Sequence, residues 1–161
     1  MPSNDDNSPE IETVDEEEDF SDGTDWLLRA IIKNYSQSGY EIGVTLTVGG
    51  SVISGLLISG RSYFAELAKM LVSNSVSEDD IFAELADDLG GLGAEIYDKP
   101  TDAPDDWQQS PITFIHLKGA RFHAPGHAGI PLKDGFLWRG KLASIDAFSI
   151  GSFVVGDSDT N

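Results

Sequence analysis

The sequence predicts an α+β fold: an N-terminal helix, a strongly bent antiparallel sheet or small barrel of about five strands, and a helical acidic insert. Three observations carry this expectation. Apolar residues recur at helical spacing after residue 24, alternate strictly from residue 41, and return to helical spacing after residue 60. Glycines stand where the period changes. Late in the chain, short apolar runs broken by Lys118-Gly119 and Gly140-Lys141 read as further strands.

Residues 1–23 hold few large apolar side chains apart from Ile11, Val14 and Phe20, and they contain the acidic run Asp15 to Asp19. Such a segment buries too little surface to offset its ordering entropy, so a disordered tail is expected. Thr24 is a suitable helix N-cap, with Asp25 at the positive end of the dipole and Leu27, Leu28, Ile31, Ile32 and Tyr35 on one face. Gly39 stands where that helix would end. Ile42, Val44, Leu46 and Val48 then alternate with small or polar residues as a half-buried strand. Gly49-Gly50 suits a two-residue hairpin turn, and Gly55 inside the returning strand Ser51 to Ser59 suggests a bulge or sharp bend.

Two helical stretches follow. Tyr63, Phe64, Leu67, Met70 and Leu71 share one side of the first; the second opens near Ser77 and runs through Ile81, Phe82, Leu85 and Leu89 to Gly90-Gly91. Residues 99–111 are rich in Pro and Asp and read as a loop. Ile112 to Leu117, turning at Lys118-Gly119 into Ala120 to His123, then Phe136 to Arg139 and Leu142 to Ile150, complete the strands. The expected layout is a tail at 1–23, one α+β domain at 24–156 with its insert at about 61–110, and a polar end at 157–161.

Composition narrows the function. The chain has 161 residues, with 28 Asp+Glu against 10 Lys+Arg and a formal charge of −18. Nucleic-acid affinity depends on Lys and Arg releasing counterions from phosphates, so that class of partner is disfavoured. The charge is uneven: residues 1–25 and 78–106 hold eleven acids each, whereas 26–77 and 107–156 are slightly basic. Cysteine is absent, which removes disulfides, thiolate metal sites and thiol nucleophiles. No secretory pattern opens the chain and no apolar run is long enough for a membrane span, so a cytoplasmic protein without a membrane partner is expected.

Chemistry-bearing patterns are sparse. Gly135 to Lys141 satisfies G-x-x-x-x-G-K, but Leu142 replaces the required Ser or Thr and Phe136-Leu137-Trp138 is too bulky for a phosphate loop. His116, His123 and His127 lie close in sequence and suit zinc by ligand type, without a recognised ligand spacing. Asp19, Asp22 and Asp25 lack the spacing of a calcium loop. The reading is therefore no enzyme, no cofactor and no metal, with the three histidines as the weak metal candidates.

Val44 to Phe64, with its glycine turn, "V-I-S-G-L-L-I-S" strand and Tyr63-Phe64 pair, resembles the first block of the gas vesicle accessory GvpU family. Phe136 to Gly151 resembles that family's final strand pair, and the resemblance spans roughly residues 24–153. It implies a non-enzymatic cytoplasmic factor associated with gas vesicles, acting in vesicle assembly, maturation or clustering. The implied partners are vesicle structural or accessory proteins, or further copies of the chain. Tyr63, Trp138 and Arg139 are the expected contact residues. The same blocks more remotely resemble an Sm-like small barrel, with Gly55 at the bend and Arg139-Gly140 at the late turn. That resemblance implies the alternative, an oligomeric module binding RNA or a small ligand.

Overall fold

The computed structural model describes residues 23–36, 38–74, 81–124, 129–131 and 133–152. The expected acidic tail up to residue 22, the Ser77 helix start and His127 lie outside these residues. Asp25, one residue later than expected, is the N-cap of α1 (Trp26–Ile31): its carboxylate accepts from the Leu27 and Leu28 amides at 2.8 and 3.2 Å. A single π-helical stretch, Ile32–Ser36, extends the helix.

The Gly49-Gly50 turn joins β1 (Ile42–Val48) to β2 (Ser51–Ile58), with both glycines at positive φ. This is the backbone that side-chain-bearing residues resist and that a tight hairpin needs. The bend at Gly55 is also present, because the pairing of β2 with β3 shifts register between Ser54 and Leu56. A Cβ on Gly55 would stand 3.1 Å from the Lys118 carbonyl oxygen, so the glycine lets the two strands approach.

Two helices, α2 (Gly60–Asn74) and α3 (Ile81–Tyr97), separate β2 from β3. They pack antiparallel: Gly60 lies under the Tyr97 ring, Gly93 under Phe64, and Gly90 beside Ala68. Sequence reasoning ends the second helix at Gly90-Gly91, and the structure overturns this. Gly90 and Gly93 face α2, so the close approach they permit offsets their poor helix propensity.

The strand β3 (Phe114–His123) is also longer than expected. Lys118-Gly119 does not turn the chain back; Gly119, at φ 60°, forms an irregularity where pairing with β4 (Phe136–Lys141) shifts between Leu117 and Ala120. A short 3₁₀ turn, Leu142–Ser144, precedes β5 (Ala147–Ile150). The sheet is antiparallel with order β4-β3-β2-β1-β5. It is open, with β4 and β5 as its edges, so of the two sheet forms expected the bent sheet is the one adopted.

Alternation sends Val44, Leu46, Ile53, Leu57, Ile115 and Leu117 into one buried cluster with Leu28 of α1 and Ile32 of its π-helical extension. Each such side chain contributes roughly 1.5–3 kcal/mol by leaving water. The other face of β3 and β4 is covered in part by α2 and α3, which gives the region around His116 its own interior.

Candidate functional site

His116 stands on β3 opposite Ile58 of β2 and opposite Arg139 of β4. The position is nearly closed to solvent, at 3% exposure. The Arg139 Nε–H donates to His116 Nε2 at 3.3 Å, which requires the imidazole proton on Nδ1. Burial first, and then the Arg139 charge, lowers the His116 pKa to about 4. The ring is thus neutral at ordinary pH and serves as an acceptor for the guanidinium.

Aromatic rings complete the enclosure. Arg139 Cζ lies 3.5 Å from the centroid of the Phe114 ring, a cation–π arrangement. The Tyr63 ring from α2 sits 4.8 Å from His116, and the Tyr97 ring from α3 meets it edge-on at 6.1 Å. Phe64 joins the two tyrosines, 5.7 Å from Tyr63 and 6.2 Å from Tyr97. Burial raises the Tyr97 pKa, with the charge and hydrogen bonding of Arg139 acting against it. A cavity of about 240 Å³ opens beside this cluster, lined in part by Ile96, Tyr97, Pro111, Ile112, Phe114 and Arg139. Gln109 Nε2 donates to the Tyr97 carbonyl at 3.4 Å and ties the cavity's loop wall to the end of α3.

Of the three expected contact residues, the fold brings Tyr63 and Arg139 together around His116 and sends Trp138 elsewhere. Trp138 points to the opposite face of β4, packs against the main core and lies over Gly140, where an added Cβ would come within 2.2 Å of its ring. His116 and His123 are separated too. They stand seven residues apart on β3, on the order of 20 Å. His123 Nε2 shares a 2.7 Å hydrogen bond with Ser54 Oγ. Among the described residues, no three His, Cys, Asp or Glu side chains are grouped to hold a metal ion. The G-x-x-x-x-G-K segment is mostly β4, its Phe136 stacked on Phe122 at 5.5 Å, so its backbone serves the sheet.

Tyr97 and Phe114 are cluster members that sequence reasoning did not single out. Tyr97 was hidden by ending the second helix too early; continued at helical spacing, it falls on the face of Ala86, Gly90 and Gly93. Phe114 is legible only as the alternation partner of His116.

The family model described as "Gas vesicle protein GvpU-like" matches residues 25–153. The chain belongs to the GvpU-like family. Its match begins at the N-cap of α1 and runs beyond β5, so the sheet, both insert helices and the His116 cluster all lie within the GvpU-like region. No curated protein and no solved structure matches the chain significantly. Among the described residues, no helix of this GvpU-like chain is long and apolar enough to cross a membrane.

Proposed function

We propose that this chain is a non-enzymatic accessory protein of gas vesicles, acting in the cytoplasm on their assembly, maturation or clustering by associating with vesicle proteins or with copies of itself. The observation that carries the reading is the GvpU-like match across every described element. The exterior supports association. Trp26, Leu27 and Tyr40 are exposed near α1, Ile150 is exposed on the edge strand β5, and large apolar residues project from α3. An open sheet edge and exposed apolar side chains are the usual material of protein–protein contacts. Arg139 contributes an exposed cation at the other sheet edge, held in one orientation by His116 and Phe114.

The test is flotation. Vesicles purified from a host expressing a tagged chain are expected to carry it upward through a gradient, and deletion of its gene is expected to change vesicle number, shape or clustering. Vesicles free of the chain, together with an unchanged vesicle population after deletion, would overturn the proposal.

A further inference from the structure

The insert helix α3 turns small residues and Tyr97 inward and leaves several large aliphatic side chains outward. Ala86, Gly90, Gly93 and Tyr97 face α2 or the cluster beneath it, while Ile81, Leu85, Leu92 and Ile96 are 67, 42, 40 and 41% exposed. Their spacing of four, seven and four residues, with half-buried Leu89 between, draws a single stripe along the helix. From Ile81 to Ile96 it runs roughly 22 Å at 1.5 Å per residue, about four turns. A surface helix ordinarily turns this stripe toward the core. Here the glycines let α2 pack on the adjoining face, and among the described residues no element lies over the stripe.

Its surroundings specify what would cover it. Glu84, Asp88 and Glu95, at offsets of three, seven and fourteen from Ile81, form an acidic row along one border. The other border is α2. The helix carries four acids and no Lys or Arg. At its far end Ile96 also lines the 240 Å³ cavity, with Pro111, Ile112 and Phe114, so the apolar surface continues into a recess able to receive a side chain. A second copy would bring the same acidic helix, and the N-terminal segment brings eleven acids in residues 1–25. Both are repelled by the row of carboxylates.

We infer that the α3 stripe docks an amphipathic helix of a partner protein whose apolar face is bordered by Lys or Arg. The apolar faces meet along the stripe, the basic border pairs with Glu84, Asp88 and Glu95, and a terminal side chain enters the cavity beside Ile96. The inference deepens the association reading above and rests on it only for where the partner is found.

The experiment uses the full chain and three synthetic helical peptides, read by fluorescence anisotropy: one with a Leu stripe bordered by Lys, one with the same stripe bordered by Glu, and a scramble of the first. The Lys-bordered peptide is expected to bind at least about tenfold more tightly than the other two. The scramble measures attraction to the acidic tail alone. Leu85→Gln with Leu92→Gln changes two exposed positions and is expected to abolish the preference while leaving the circular dichroism spectrum unchanged. Glu84→Lys with Asp88→Lys and Glu95→Lys is expected to reverse it, favouring the Glu-bordered peptide. Equal binding of scramble and Lys-bordered peptide, or an unchanged preference in both variants, would overturn the inference. So would self-association of the chain that the two Gln substitutions disperse, since the stripe would then be covered by a second copy. Vesicle flotation separates the two claims: vesicles that carry the native chain while no peptide is preferred defeat the docking inference alone, and a peptide preference without vesicle capture defeats the vesicle reading alone.

Discussion

Protonation of His116 competes with folding, because the buried ring accepts from Arg139 and has no room for a second cation. Its ordinary pKa is 6.5 and its folded value about 4, so the unfolded chain takes the proton first as pH falls. Above 6.5 both states are neutral and the group contributes no pH dependence. Between 6.5 and 4 stability is lost, and below the folded value the loss levels off. Going from about pH 7 to about pH 5, the native chain is expected to lose roughly 2 kcal/mol more than a His116→Gln variant, which keeps an acceptor and cannot titrate. Urea unfolding at the two pH values measures this, and parallel losses would show that the ring is not held neutral by its surroundings. The sequence singles out His116 only as a weak metal candidate and does not show what surrounds it. Strand alternation shows that it leaves the side of Ile115 and Leu117; it does not show that α2 and α3, contributed by a distant stretch of chain, cover the other side.

Helices and strands were legible wherever one face alone is buried. The period of two in β1 and β2, the Gly49-Gly50 turn and the Gly55 irregularity all follow from local backbone demands, and the structure contains each of them. The misreadings share another cause. Gly90-Gly91 looks like a helix end and Lys118-Gly119 like a turn in isolation, yet both pairs lie inside continuous elements because a neighbouring element needs the space or the altered register. This distinction can be measured on α3. A Cβ on Gly93 would sit 2.6 Å from Phe64 Cβ, whereas one on Gly91 meets nothing within 4 Å. Gly93→Val is therefore expected to destabilise by roughly 2 kcal/mol through overpacking. Gly91→Ala should stabilise by up to about 1 kcal/mol through helix propensity. Thermal melts of the two variants check the pair, and stabilisation by both would mean that α2 does not press on α3 at Gly93.

At the scale of the molecule, the uneven charge was legible by counting, but part of its meaning was not. Sequence reasoning places the second acidic block in a helical insert, but only the packing of α3 gives Glu84, Asp88 and Glu95 fixed places beside an apolar stripe. Residues 1–23 are the segment whose charge can be removed without touching a described element other than the approach to α1. Deleting them is expected to increase self-association or vesicle binding at low salt and to leave both nearly unchanged at high salt, where repulsion is already screened. Sedimentation velocity and flotation at the two salt levels report this, and identical behaviour with and without the segment would reduce it to a solubiliser. The order of the strands imposes a further constraint, on synthesis. The outer edge of β1 is closed by β5, with Gly151 donating to the Gly43 carbonyl at 2.7 Å and Thr45 Oγ1 donating to the Gly151 carbonyl at 2.8 Å. These partners are made about a hundred residues apart. As the chain leaves the ribosome, the β1–β2 hairpin and the α2–α3 pair can form from neighbouring sequence, but β1 stays bare along one side until residues 147–151 emerge. A product stopped before Ala147 would carry that edge permanently, a template for pairing between chains, so its expected fate is aggregation rather than a smaller stable fold.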